Sequence, residues 1–158
     1  EALWHLEQTP YTGSVGRALF DAFRLADRRR RSRVLRMIAG SGDRRFIDFL
    51  ADHVDAHGSD LTADEGAEIG RVLGQLGGAP ELPRWKAWLE PQGLFRKEVA
   101  GPLARQVAAV MAIAELPGGS ASRALQETFE NAGPELEPWV LGALADRHRR
   151  RMETLETP

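Results

Sequence analysis

The chain has 158 residues, of which 42% are hydrophobic and 28% are charged, and its formal net charge is −2. This balance is typical of a folded domain, so we expect the chain to be ordered over most of its length. The sequence has no cysteine, which excludes disulfides, thiolate metal ligands and cysteine nucleophiles. No apolar run approaches the roughly 18 residues of a membrane span, so we expect a soluble, cytoplasmic protein.

Hydrophobic periodicity predicts an all-α chain, because apolar residues recur four positions apart on both sides of successive glycine or proline corners. Helix-start signals agree. Thr62 and Glu65 form a T-x-x-E capping box, and Pro138 lies where a helix carrying Trp139 would begin. In chain order, the predicted helices are residues 1–8, 14–26, 28–41, 44–57, 63–76, 80–90, 102–116, 120–132 and 136–150.

A fourteen-residue phrase recurs along these helices. Its copies are residues 41–54, 76–89 and 116–129, and residues 14–23 form a shorter copy. Each copy has one large apolar position, and these positions are separated by 31, 35 and 40 residues: Leu19, Leu50, Trp85 and Leu125. Recurrence at such steps is typical of stacked helical repeats.

The middle copy, LGGAPELPRWKAWL, resembles the HEAT-type helical repeat, whose second half reads leucine, glycine, a turn, Leu-Pro and an amphipathic helix. The matching residues are Leu76, Gly77, Gly78, Leu82, Pro83, Trp85 and Leu89. The aspartate-proline usual at that turn is absent. The resemblance implies a right-handed α-solenoid of about four HEAT-like helix pairs plus a terminal helix. Proteins of this kind serve as scaffolds, adaptors, lyase subunits and, in a few cases, enzymes.

We predict one HEAT-like repeat domain over residues 1–150 and a disordered tail over residues 151–158. Residues 91–101, rich in proline and glycine, predict a long connection between repeats. Stacked pairs should share one continuous apolar core. Its predicted members are Leu19, Val34, Ile38, Phe46, Leu50, Ile69, Leu73, Leu76, Leu82, Trp85, Leu89, Ile113, Leu116, Leu125 and Phe129. Because only two of the 21 basic residues are lysines, we expect a GC-rich bacterial genome, and because the sequence opens at Glu1 without methionine, we expect a larger parent protein.

Charge is distributed unevenly along the chain. Residues 17–45 hold ten arginines and three aspartates, a local net charge of +7, whereas residues 46–146 have a net charge of −9. Four consecutive arginines, Arg28 to Arg31, begin a predicted helix, where the macrodipole disfavours cations, so they do not serve helix stability. The cluster is either a solvated helix start or a site for an acidic protein surface, a phosphate-bearing ligand or nucleic acid.

The sequence predicts neither an enzyme nor a metal or cofactor site. His53 and His57 share a helix face at the spacing of a two-histidine metal site, but no third ligand can be named. No nucleophile, base and orienting group can be named as a set. The His-Glu dipeptides of the HEAT-like iron hydroxylases are also absent.

The function predicted is a protein–protein interaction or scaffold module that docks a partner, another protein with an acidic surface, on a concave helical surface. The predicted contacts are Arg17, Arg24, Arg28, Arg29, Arg30, Arg31, Arg44, Arg45, Arg84, Trp88 and Arg123. The alternative is a nucleic-acid-binding or DNA-glycosylase-like HEAT solenoid. It ranks lower because the units beyond Asp48 are acidic, whereas a solenoid that follows a duplex spreads basic residues over several units.

Overall fold

The computed structural model describes residues 13–90 and 101–156. Within these ranges the protein has eight α-helices, one short 3-10 helix and no β-strand, which confirms the all-α prediction. The helices are α1 (Gly13–Leu25), α2 (Arg28–Ser41), α3 (Arg45–His57), α4 (Ala63–Leu76), α5 (Leu82–Leu89), α6 (Leu103–Glu115), α7 (Gly119–Asn131) and α8 (Glu137–Glu156), with the 3-10 helix at Ala79–Glu81. The predicted helix 1–8 and nearly all of the predicted connection 91–101 lie outside the described residues.

The helix boundaries predicted from the sequence are accurate to within two residues, with one exception. The helices α2 and α4 begin and end at the predicted residues, and the Thr62–Glu65 capping box is present in both directions. The exception is α8, which continues to Glu156 instead of ending at residue 150. The predicted disordered tail is therefore wrong over residues 151–156, where strong helix formers such as Arg151, Met152 and Glu153 continue the helix.

Three helices, α2, α4 and α6, lie side by side and run in the same direction. Between α2 and α4, Arg28 lies 3.9 Å from Asp64, and the Ser32 hydroxyl donates to the Glu68 carboxylate at 2.7 Å. The helices α3 and α5 are also parallel neighbours. Arg44, just before α3, pairs with Glu81, just before α5, and one turn further along both helices Asp48 pairs with Arg84. The step is 36 residues from α2 to α4 and from α3 to α5, and 38 residues from α4 to α6.

The closest contact between helices joins α4 to α6. Three glycines of α4 face three alanines of α6 in the same order: Gly66, Gly70 and Gly74 against Ala104, Ala108 and Ala112. A Cβ atom added at Gly70 would lie 2.7 Å from the Cα of Ala108, so the two backbones touch. Residues without large side chains at every fourth position are what allow helices to approach this closely.

The buried apolar residues form a contiguous core that extends from α1 to α8. Thirteen of the fifteen predicted core residues are buried, including Leu50, Trp85 and Leu125, which are fully enclosed. Leu82 is only half-buried, and Phe129 is 38% exposed, so the prediction is wrong for Phe129. On α7 the buried face consists of Ala121, Ala124, Leu125 and Thr128, and Phe129 lies about 100° around the helix from Thr128.

The final helix is tied to the α6–α7 corner by one arginine. The guanidinium group of Arg147 donates to the carbonyl oxygens of Ala114, Leu116 and Gly118 and to the hydroxyl of Ser122. The Ala114 carbonyl lies in the last turn of α6, and those of Leu116 and Gly118 follow the helix, so Arg147 satisfies carbonyls at this helix end as a C-terminal cap would. Among the described residues, no helix is long and apolar enough to cross a membrane.

Candidate functional site

The arginines predicted to contact a partner lie in two separate groups. Arg28 to Arg31 form the N-terminal turn of α2, whereas Arg44 and Arg45 follow its C-terminal end. Because Arg28 to Arg31 occupy the first four of the 14 residues of α2, about 15 Å of helix separates the two groups. The structure therefore does not bring the predicted basic cluster together on one surface.

The second group is engaged in ion pairs within the protein. Arg44 lies 3.2 Å from Glu81, and Arg84 lies 2.6 Å from Asp48, so both pairs join α3 to the segment that contains α5. Arg45 binds Asp43 at 2.7 Å, and this hydrogen bond lowers the pKa of the Asp43 carboxyl. These arginines neutralise neighbouring carboxylates and offer little unbalanced positive charge to a partner.

Trp88 is 9% exposed, and its ring centroid lies 5.1 Å from that of Trp85, which is fully buried. Trp88 is thus packed in the core, which leaves little of its ring to contact a partner. Sequence spacing alone could not decide this, because Trp85 and Trp88 lie three residues apart and share one helix face. Arg123 is exposed on α7, and Arg17 is exposed on α1.

The outer face of α2 carries a row of exposed arginines that we call the basic ridge: Arg29, Arg33 and Arg36. They are four and three residues apart, so they point to the same side of the helix. None of the three has an ion-pair partner among the described residues, whereas Arg28 and Arg30 each lie 3.9 Å from an aspartate. Met37, which is 61% exposed, extends the ridge. The sequence prediction included only Arg29 of this set, although the spacing of Arg33 and Arg36 was a usable signal.

A groove of about 310 Å³ runs along the basic ridge, between α2 and α4. Its apolar floor is formed by Leu35, Ala39 and Val72, and Arg36 and Arg71 lie on its two sides. The lining also includes Glu68, whose carboxylate accepts a hydrogen bond from Ser32, so the groove combines apolar contact area with two arginines and one carboxylate.

A larger cleft of about 510 Å³ lies between α1 and α3, near the N-terminal end of α2, and we call it the histidine cleft. Its lining includes Phe20 of α1 and Phe49 of α3, whose ring centroids are 3.5 Å apart. Arg24 and Arg31, which the sequence analysis proposed as contacts, both line this cleft, together with His53 and His57. It is the place where predicted site residues from different helices meet.

His53 is held neutral within this cleft. Its pKa is lowered to about 4, mainly because burial disfavours the charged ring and also because His57 and Arg31 lie nearby. The edge of its ring contacts Phe23 at a centroid distance of 4.8 Å, and its buried Nε2 atom makes no hydrogen bond to any residue that the structure describes. The ring centroids of His53 and His57 are also 4.8 Å apart. However, no group of three metal-ligating side chains occurs in the part of the chain that the structure describes.

No protein-family model, no curated protein and no solved structure matches this chain. The function proposed below rests on the charges, contacts and shape of this chain itself.

Proposed function

We propose that the chain is a non-enzymatic protein-interaction module built from HEAT-like helix pairs. The support is the parallel arrangement of α2, α4 and α6 on one side and of α3 and α5 on the other, at steps of 36 or 38 residues. The pairs α2/α3, α4/α5 and α6/α7 each contain one copy of the recurring phrase at their corner. In a stacked solenoid each helix pair packs against the next pair, which would account for both the parallel order and the regular step. The first and third pairs also meet here, since Arg105 of α6 lies 3.4 Å from Asp55 of α3.

The basic ridge is the surface that docks the partner in this proposal. Three arginines on one helix face, without carboxylate partners among the described residues, leave a concentrated positive field on that face. Such a field steers an acidic protein surface toward the ridge and fixes its orientation. Met37 and the groove floor provide the apolar contact that charge alone does not, and both methionine and arginine are enriched in protein interfaces.

The docking surface proposed here is the outer face of α2, and it differs from the concave helical surface that the sequence predicts. On the expected face, Arg44 and Arg84 already pair with Glu81 and Asp48, and Lys86 lies 4.0 Å from Glu127. A partner that used these cations would have to displace carboxylates of the protein itself. No such competition exists at Arg29, Arg33 and Arg36 among the described residues.

Charge reversal tests the ridge. The double variant Arg33→Glu/Arg36→Glu should reduce capture of the partner at least tenfold in a quantitative pull-down from the cells that make the protein. The matched control is Arg149→Glu/Arg151→Glu, which reverses two exposed arginines on α8 that were not predicted as contacts. The control should capture as much partner as the parent protein does. Equal capture by the ridge variant and the parent would refute the assignment of the ridge.

The nucleic-acid alternative receives no specific support from the described residues. Trp85 and Trp88 are buried, so neither can form the exposed platform on which a base stacks. Binding of duplex DNA by the parent protein at low salt, with a steep loss as salt increases, would instead favour this alternative.

A further inference from the structure

Four charged side chains, two of each sign, line the histidine cleft without pairing with one another. Arg24 and Arg31 are the cations, and Asp52 and Asp60 are the anions. Within the described residues, none of the four takes part in a salt bridge. Arg28 and Arg30, two neighbours of Arg31 on α2, by contrast lie within 4 Å of carboxylates.

The backbone holds these groups on different elements. Arg24 lies near the end of α1 and Arg31 in the first turn of α2, whereas Asp52 lies on α3. Asp60 lies in the turn after α3, and its N–H donates to the carbonyl of His57 at 2.9 Å. Because the four groups come from separate elements around one cleft, a ligand that bridges them can satisfy both signs at once.

Polar atoms deeper in the site are also without partners. Arg31 Nε and His53 Nε2 are both buried, and neither makes a hydrogen bond among the described residues. Trp85 Nε1 and Arg105 Nε, which lie outside the cleft, are also buried without partners among the described residues. The two atoms of Arg31 and His53 differ in that their residues line a cleft from which a ligand can offer hydrogen bonds. The guanidinium of Arg31 lies 5.7 Å from the centre of the Phe23 ring, a contact that helps to fix its position.

From these observations we infer that the histidine cleft binds a free α-amino acid with an apolar side chain. The carboxylate of the ligand binds Arg24 and Arg31, since guanidinium groups bind carboxylates with two parallel hydrogen bonds. Its ammonium group lies toward Asp52 and Asp60, and its side chain packs on Phe20, Phe49 and Leu61. The cleft volume of about 510 Å³ falls within the range of roughly 300–1,000 Å³ that is usual for small-molecule sites.

Amino-acid derivatives that lack one charge test whether the cleft binds both the carboxylate and the ammonium group of the ligand. Isothermal titration calorimetry compares L-phenylalanine with N-acetyl-L-phenylalanine, which lacks the cation, and with L-phenylalaninamide, which lacks the carboxylate. L-Leucine serves as a second apolar amino acid. We expect each blocked form to bind at least ten times more weakly than L-phenylalanine. Equal affinity of either blocked form would overturn the inference, and so would the absence of saturable binding by both free amino acids at millimolar concentration.

Variants locate the site. Arg31→Gln and Asp52→Asn should each weaken binding of L-phenylalanine at least tenfold, whereas Arg123→Gln and Glu130→Gln, which change exposed groups on α7, should not. Asp52 is exposed, so its variant keeps the test valid if Arg31→Gln fails to fold. In the parent protein, the ring signals of Phe49 and His57 should shift during an NMR titration. Unaffected binding in Asp52→Asn, or ring signals that do not move, would place the amino acid elsewhere. The ridge variant Arg33→Glu/Arg36→Glu should retain amino-acid binding, so this site and partner docking can fail independently.

Discussion

Alanine substitutions at two helical glycines, Gly70 of α4 and Gly40 of α2, should change the stability of the protein in opposite directions, because only Gly70 contacts the backbone of α6. A Cβ atom at Gly70 would lie 2.7 Å from the Cα and 2.8 Å from the carbonyl carbon of Ala108, whereas ordinary contacts begin at 3.4 Å. These are backbone atoms, which cannot rotate away. The Gly70→Ala substitution must therefore move the two helices apart by something close to 1 Å, and a gap of that size forfeits about a quarter to a half of each affected contact.

The magnitude follows from two opposing terms. Alanine gains about 1 kcal/mol over glycine through helix propensity. Overpacking costs about 1–3 kcal/mol, and the upper end applies at Gly70 because the obstruction is rigid backbone. We therefore expect Gly70→Ala to lower the free energy of unfolding by about 2 kcal/mol, and the Tm by about 4–8 °C.

Gly40 provides the matched control. It lies in α2, and a Cβ atom there would have no heavy atom within 4 Å. The Gly40→Ala substitution should raise the free energy of unfolding by about 0.5–1 kcal/mol, because only the propensity term remains. Urea unfolding followed by circular dichroism measures both variants. If Gly70→Ala is as stable as the parent or more stable, the close packing of α4 on α6 is refuted.

Three further predictions concern the core, the final helix and the histidine. Leu125→Ala should lower the free energy of unfolding by about 2–5 kcal/mol because Leu125 is fully buried. Phe129→Ala, at a partly exposed residue, should lower it by about 1 kcal/mol or less. Equal losses of stability in thermal melts of the two variants would contradict this assignment of the core. Arg147→Met should lower the free energy of unfolding by about 2–3 kcal/mol, because three carbonyl oxygens lose a charged hydrogen-bond donor. Arg151→Met, at an exposed site, should change it by less than about 0.5 kcal/mol. Similar urea midpoints for the two variants would refute the role of Arg147. Folding stability should decrease as the pH falls from 6.5 to about 4, because the unfolded chain protonates His53 in this window and the folded protein does not. The decrease attributable to His53 is about 1 kcal/mol, since solvent screening weakens the effect on a partly exposed ring, and urea unfolding across the window should show a smaller decrease in His53→Gln; an identical decrease in both proteins would refute it.

Local patterns in the sequence were sufficient to predict the helices. The boundaries of α2 and α4, the Thr62 capping box and the burial of Leu50 depend on residues that are neighbours in the chain, and all were confirmed. The end of α8 was predicted at residue 150, but the helix continues to Glu156, and no glycine or proline near residue 150 marks an end there. Phe129 was assigned to the core because it lies four residues after the buried Leu125. A helical turn has 3.6 residues, so Phe129 does not lie directly above Leu125 but at the edge of the buried face.

The candidate sites were predicted less well because they depend on contacts between distant segments. Arg84 and Asp48 are 36 residues apart, so their ion pair could not be inferred from either helix alone. In the same way, the histidine cleft unites Arg31 of α2 with His53 of α3. The facing rows of glycine and alanine on α4 and α6 were visible as patterns, but only the fold shows that they touch.

The most direct measurement of partner docking is site-specific photo-crosslinking on the basic ridge. A photoreactive phenylalanine analogue at the position of Met37, which is exposed beside Arg33 and Arg36, reports what lies against that face in the cell. The control places the same analogue at Leu141, an exposed residue of α8. We predict one predominant crosslinked protein from position 37, joined through an acidic segment of its surface, that is lost in the Arg33→Glu/Arg36→Glu background. The same crosslinked proteins from both positions, or a position-37 product that survives charge reversal, would contradict the proposal.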